Sequence, residues 1–257
     1  MEMATFVCSD IHGEYNAWME AIEKSGMNLA AGDRFIILGD VIDRGKDSLK
    51  CLEYAFELMD KFPEQVTYLM GNHEEMFLNF VNSPEPKDHH EYSEMRYNGN
   101  LWVQNGGLAM LVSLLEHSVE AYYDLHELLN IELAEWIPRL NQLPLYSVDE
   151  EHNCVYVHAG FKSEVPLKKQ TSKDMLWIRN DFFNGFKPVP GDELAGKLIV
   201  HGHTPVRYFS KWQGKGYYDG GFHVCIDGGS SDENGAIIML KMDDMSYVSV
   251  PTQSKES

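Results

Sequence analysis

The 257-residue sequence is short of cysteine, short of positive charge and without any long apolar run, and each shortage removes a class of protein. Cys8, Cys51, Cys154 and Cys225 stand at long intervals with no CxxC pair. That pattern excludes a disulfide framework and a cysteine-built zinc site. Three of the four lie in apolar, strand-like runs, so they read as reduced core residues of a cytoplasmic protein. Lys and Arg number 21 against 40 Asp and Glu, a formal net charge of -19. Such a surface repels phosphate backbones and anionic lipids, so neither a long nucleic acid nor a membrane is expected as a partner. A local cationic site can still hold one small phosphate. No window approaches 18 uninterrupted apolar residues, and "MEMATFVCSD" lacks a basic region followed by an apolar one.

What is present is a core-forming pattern. With 44% hydrophobic residues, a chain of this length can bury about 70–75% of its unfolded surface. "ATFVCS" (4–9), "RFIILG" (34–39) and "VTYLMG" (66–71) are near-continuous apolar runs, as in strands buried on both faces. Between them Tyr15, Trp18, Met19 and Ile22, then Leu49, Leu52, Phe56 and Met59, follow helical spacing. Alternating strand and helix predicts parallel pairing with right-handed crossovers. Residues 82–100, polar and with two prolines, read as a long surface loop. Two helices are predicted after it, one with Leu108, Leu111, Val112 and Leu115 on a face, the other with Leu129, Leu133, Trp136, Ile137 and Leu140. After Pro144 the runs at 153–160, 197–203, 223–229, 236–242 and 246–251 read as strands. The economical organisation is one α/β domain over 1–250, an insertion at about 83–145 forming a helical cap, and a tail at 251–257.

The ends of the strands carry the chemistry. The first run ends in Asp10 and His12, the second in Asp40, Asp43 and Arg44, the third in Asn72, His73 and Glu74. His158 ends a fourth run, and His201 with His203 a fifth. Open α/β sheets bind ligands beyond the carboxyl ends of their strands, so these clusters should meet in one crevice. Asp10, His12, Asp40, Asn72, His158 and His203 form a mixed oxygen and nitrogen donor set suited to Mn, Fe or Zn. Six donors exceed the need of one ion with an open position; two ions sharing a carboxylate use them all. A single strand histidine is more often structural than ligating, but five strand ends carry such residues beside glycines.

"DIHG" at 10–13, "GDVIDRG" at 39–45 and "GNHE" at 71–74, followed by "VHAG" and "GHT", resemble the ordered motifs of the phosphoprotein phosphatase branch of the calcineurin-like metallophosphoesterases. The resemblance spans residues 6 to about 229. It implies a mixed β-sandwich flanked by helices, with one divalent ion on Asp10, His12 and Asp40 and a second on Asp40, Asn72, His158 and His203. It implies Mn as the metal, with Fe or Zn as alternatives, and in-line attack on a phosphomonoester by a metal-bridging hydroxide. His73 is then the acid for the departing alkoxide, with Asp43 orienting it and keeping its imidazolium form available. Arg44 is a phosphate fork. Arg179, in "LWIR", resembles a second phosphate-binding arginine, with a structural ion pair as its competing role. The expected substrate is a phosphoprotein, on Ser/Thr or Tyr, or a small phosphoester.

The late region reads "IDGGSSDENG" where eukaryotic protein phosphatases of this family carry Ser-Ala-Pro-Asn-Tyr. This aligns the chain with bacterial and phage-type members, which include symmetrical dinucleoside tetraphosphatases; such an activity, or that of a nucleotide pyrophosphohydrolase with the same metal site, is the alternative. Under that alternative, Tyr92, Tyr97 and Trp102 are candidates to stack on a base. A third reading, a silent binder of metal and phosphate, sits poorly with the presence of both His73 and Asp43. Glu74 and Glu75 read as supports at a helix start, Asp227 as a partner of a ligating histidine, and His89 and His90 as solvated. His201 has no assigned role, and the oligomeric state is left open.

Overall fold

The computed structural model describes residues 3–84, 88–114, 122–214 and 216–252. Two five-stranded sheets face each other. The first contains β1 (Thr5–Cys8), β2 (Arg34–Ile37), β3 (Val66–Tyr68), β9 (Ala236–Lys241) and β10 (Tyr247–Pro251) in the order β10-β9-β1-β2-β3. The second contains β4 (Tyr146–Asp149), β5 (Cys154–Val157), β6 (Leu198–His201), β7 (Tyr218–Asp219) and β8 (His223–Cys225) in the order β4-β5-β6-β8-β7. Each sheet has a parallel centre, β1-β2-β3 and β5-β6-β8, with antiparallel strands outside it.

Alternation along the strands divides the core into layers. Val7, Ile36, Leu38 and Leu240 point between the sheets and pack with Tyr156, Val200 and Val224. Phe6, Cys8, Phe35 and Ile37 point the other way, into a layer shared with Trp18, Cys51 and Phe56. Those residues lie on helices α1 (Tyr15–Ser25) and α2 (Ser48–Lys61). Behind the second sheet, Val155, Val157 and Ile199 meet Phe161, Met175 and Phe182. Burial on both faces explains the continuous apolar runs, and each fully buried aliphatic side chain contributes about 1.5–3 kcal/mol. β4 and β7 escape the sequence reading because, apart from Asp149, their residues are only partly buried or exposed and give no apolar run.

Beyond β3 come α3 (Asn72–Val81), α4 (His89–Trp102), α5 (Leu108–Leu114), α6 (Tyr122–Glu132) and α7 (Ile137–Leu140). The loop expected at 82–100 is therefore largely helical from residue 89. Asp88 caps α4 by accepting from His90 N and Glu91 N, and Met95, Gly99 and Trp102 form a narrow buried stripe that the surrounding polar residues hide. His89 and His90 are exposed, as expected. Of the face expected on α5, Leu111 is buried, with Met110 beside it, whereas Leu108 and Val112 are 57% and 73% exposed; Leu115 lies outside the described residues. The single helix expected over 129–140 breaks between α6 and α7, because Pro138 has no N–H to continue the ladder, while Leu129, Leu133 and Leu140 are buried. The expected tail also begins late: Pro251 pairs with Ala236, and Thr252 is buried with its hydroxyl on Gly235 O; residues 253–257 lie outside the described residues. Among the described residues no helix is long and apolar enough to cross a membrane.

Candidate active site

The carboxyl ends of both parallel centres meet along one rim. The turns after β1 and β2 run side by side, with Asp10 N, His12 N and Gly13 N donating to Gly39 O, Asp40 O and Val41 O at 3.2, 3.0 and 3.0 Å. These turns are tight enough to force side-chain-bearing residues into the left-handed region. Asp10, His12, Asp40, Asp43, Arg44 and His203 have φ between 47° and 70°, six of the ten such residues described. Backbone strain of about 1–3 kcal/mol per residue persists only where surroundings over-determine it. Here Glu74 does much of that. Wholly buried, its carboxylate accepts from Asp40 N, Val41 N, Gly71 N and Tyr68 Oη at 2.8–3.0 Å. A Cβ at Gly71 would collide with the Asp40 carboxylate, so the close approach of the β2 and β3 turns requires glycine there. Glu74 is thus a clamp on the neighbouring turn rather than only a helix-start charge. Glu75 accepts from Trp177 Nε1 at 2.7 Å.

The six expected ligands all come to this rim. His12 Nδ1 donates to Ile42 O at 2.9 Å and His158 Nδ1 to Leu38 O at 2.8 Å, which leaves each Nε2 bare. The bare nitrogens face acceptors: His12 Nε2 lies 3.6 Å and His158 Nε2 3.5 Å from Asp40 Oδ2, and His158 Nε2 lies 2.8 Å from Asn72 Oδ1. His203 Nδ1 reaches the same amide oxygen at 2.8 Å, while its buried Nε2 finds no hydrogen-bond partner among the described residues. Burial holds His12 and His203 well below the usual imidazole range and also lowers His158, so protons do not fill the gaps. Burial, then Asp10 and Glu74, push the Asp40 carboxyl well above its usual range. Acceptors crowded on acceptors fit divalent cations, and this oxygen and nitrogen set suits Mn, Fe or Zn. Asp40 belongs to two compact groups, with His12 and His73 and with His158 and His203. Asp10 lines the same cleft, but its Oδ2 accepts from His203 N at 2.9 Å and from the Ser9 hydroxyl.

His73 has partners on both ring nitrogens. Arg44 Nη2 lies 2.8 Å from Nε2, and since guanidinium only donates, that nitrogen is bare and the ring proton sits on Nδ1. Nδ1 then donates to Asp43 Oδ2 at 2.8 Å. Burial first, then the Arg44 charge, hold His73 well below the usual imidazole range. At rest the ring is therefore neutral, and the imidazolium form that Asp43 is expected to keep available arises only when Nε2 takes up a proton. Burial pushes the Asp43 carboxyl up, and the Trp102 N–H and Arg44 oppose that push.

These groups open onto a cleft of about 740 Å³. Arg44 and Arg179 line it, with Leu108, Ala109 and Val112 of α5 and with Trp177, Pro205 and Tyr208. Arg179 follows helix α8 (Ser172–Trp177) and donates to Thr204 Oγ1 at 2.9 Å; among the described residues no carboxylate lies within ion-pair distance of it. Among the described residues Asp227 has no histidine partner. Its Oδ1 accepts from Gly229 N at 2.7 Å, and it lines the cleft with Asp10. His201 turns away from the cleft, donating to Gly202 O and accepting from His223 Nδ1 among Phe182 and Phe183. Trp102 is wholly buried and bonded to Asp43, so it is no stacking platform, and neither Tyr92 nor Tyr97 lines the cleft. The Glu74 clamp and the Trp102 contact were missed from sequence; the Gly106–Gly107 pair after Trp102, a signal for a close turn, was the one mark available.

Residues 3–230 match the calcineurin-like phosphoesterase family. The chain belongs to that family. This phosphoesterase is 26% identical over 218 residues to a Bacillus cereus protein named bis(5'-nucleosyl)-tetraphosphatase PrpE [asymmetrical], with 78% of each chain covered. Its fold is similar to that of a protein provisionally named a diadenosine tetraphosphatase, at TM-score 0.62 and 17% identity over 98% of this chain and 94% of that one. It is also similar to a Saccharomyces cerevisiae protein serine/threonine phosphatase with similarity to human phosphatase PP5, at TM-score 0.56 and 15% identity over 99% and 81%. The phosphoesterase is thus a hydrolase of phosphoesters with candidate residues for divalent metal.

Proposed function

We propose that this phosphoesterase hydrolyses phosphomonoesters, with phosphoproteins carrying the ester on Ser/Thr or Tyr as the substrate class. The charge lining the cleft carries the reading. Among the described lining residues the cationic side chains are Arg44 and Arg179, while Asp10, Asp40, Asp227 and Asp232 are acidic. Two guanidinium forks match the oxygens of one phosphoryl group. A tetraphosphate would carry three further phosphoryl groups past Asp227 and past Asp232, the latter already paired with Arg207. The organic part of a monoester can rest on Leu108, Val112, Trp177 and Tyr208.

In this reading Asp10, His12 and Asp40 hold one cation, and Asp40, Asn72, His158 and His203 hold the other, with Mn as the proposed metal. When bound, the pair supplies a water of lowered pKa and polarises the phosphoryl oxygens. Arg44 and Arg179 orient the phosphoryl group for in-line displacement. Water forms the new O–P bond as the ester P–O bond breaks, and the proton that water gives up is balanced by the one the departing oxygen receives. Once Arg44 has moved from it to the phosphate, bare His73 Nε2 is the atom assigned to take up the proton that water gives up and pass it to the departing oxygen. Four buried thiols suit a reducing, cytoplasmic setting.

Likeness to the Bacillus cereus tetraphosphatase supports a second reading, hydrolysis of dinucleoside tetraphosphates. Turnover of phosphoserine and phosphotyrosine peptides is compared with that of diadenosine tetraphosphate, using Mn-loaded protein and an EDTA control. The monoester reading expects EDTA-sensitive peptide turnover at the higher kcat/KM. A preference of orders of magnitude for the tetraphosphate would overturn it.

A further inference from the structure

We infer that Trp102 is a positioning residue for leaving-group protonation, fixing Asp43 as an acceptor and, through it, the tautomer and aim of His73. The inference rests on the reading of His73 as the acid. Trp102 ends α4, far in sequence from the motifs, and its Nε1 lies 3.0 Å from both Asp43 oxygens. An indole N–H only donates, so it cannot exchange roles with its partner. A carboxylate held by that donor presents His73 Nδ1 with an acceptor, which keeps the ring proton on Nδ1 and turns bare Nε2 towards Arg44 and the cleft. A carboxylate that orients the remote nitrogen of a histidine is a recurrent device for proton transfer.

The indole is itself fixed. It packs against Phe77 and Phe80 with ring centroids 5.3 and 6.0 Å away, and α4, its carrier, packs along α3, which begins with Asn72 and His73. The chain then winds through a π-type turn, Val103–Gly107, kinked at Gly106 with φ 115°. Such turns recur at functional sites. This one returns to the same target: Gly106 O accepts from Arg44 N at 3.0 Å, and a Cβ at Gly106 would fall 2.6 Å from Arg44 Cγ. Asp43 and Arg44 are consecutive residues with φ 70° and 66°, a pairing that needs support from neighbours. Trp102 supports the first from its side chain and Gly106 the second from its backbone, so one strut of the helical insertion holds both partners of His73.

Trp102→Phe keeps a ring between Phe77 and Phe80 and deletes the N–H. The Mn-loaded variant is measured on 4-nitrophenyl phosphate, whose leaving group departs without a proton, and on phenyl phosphate, whose more basic oxygen needs one. We expect kcat on phenyl phosphate to fall about tenfold or more and kcat on the nitrophenyl ester to fall less than about threefold. KM and bound metal per chain should match the wild type. Equal losses on both esters, or none, would overturn the inference. Should the variant fail to fold, 15N spectra of the wild-type imidazoles decide: a proton on His73 Nδ1 is expected, and a proton on Nε2 would overturn it. Wild-type turnover by His73→Asn would remove the acid role itself and this inference with it, whereas an indifferent Trp102→Phe beside a disabled His73→Asn removes only this one.

Discussion

Two clusters of histidine and carboxylate sit at opposite ends of the same strands and have opposite chemistry. At the amino end of β5, Asp149 Oδ2 accepts from Arg34 Nη1, His152 Nδ1 and Tyr156 Oη at 3.0–3.2 Å, and its Oδ1 accepts from Glu151 N and His152 N. Every bonded lone pair meets a donor, and the ion pair with Arg34 ties the first sheet to the second. At the carboxyl end, His158 Nε2 and His203 Nδ1 converge on one amide oxygen, and bare nitrogens face Asp40. Residue types do not separate the two clusters, since both place three metal-competent groups together. The separating feature is whether donors close the acceptors. A closed cluster is a fastening; an open one calls for a cation.

That contrast breaks if the wrong end binds metal. Asp40→Ala should remove bound Mn and lower turnover by more than the roughly 10–100-fold that loss of an outer partner costs. Asp149→Asn should leave bound metal, read by elemental mass spectrometry, at the wild-type level. A smaller effect concerns the turns beneath the open cluster. Glu74→Gln puts an amide where several N–H groups seek an acceptor and should cost about 1–3 kcal/mol by denaturant titration. The smallest effect tests the fastening. Burial works to raise the Asp149 pKa, but the His152, Arg34 and Tyr156 hydrogen bonds outweigh it and leave it below the ordinary carboxylate value. Its stabilisation is therefore present above the ordinary value near 3.9 and is lost as pH falls through the lower folded value. Asp149→Asn should flatten the acid limb of the stability curve while sparing neutral-pH turnover.

Much of the open cluster was legible in the sequence because it is made of short-range signals. A strand buried on both faces gives an unbroken apolar run, and Asp10, Asp40, Asn72, His158 and His203 announce themselves by following such runs directly. Packing across the chain is not written that way. Met95, Gly99 and Trp102 make too thin a stripe to show through the charges of α4. Leu108 and Val112 share helical spacing with core residues yet face the cleft, because α5 has apolar groups on two sides. The reach of Glu74 to the Asp40 turn and of Trp102 to Asp43 depends on which segments lie together in space, and periodicity along the chain carries none of that.

Metal holding and proton delivery are assigned to adjacent residues, so one paired measurement on Asn72→Ala and His73→Asn tests the account most directly: bound Mn per chain alongside turnover of a phosphomonoester. Asn72→Ala should lose metal and turnover together. His73→Asn should keep metal near the wild-type level while turnover falls roughly a hundredfold or more. Wild-type turnover in His73→Asn, or metal lost from it as from Asn72→Ala, would contradict the account.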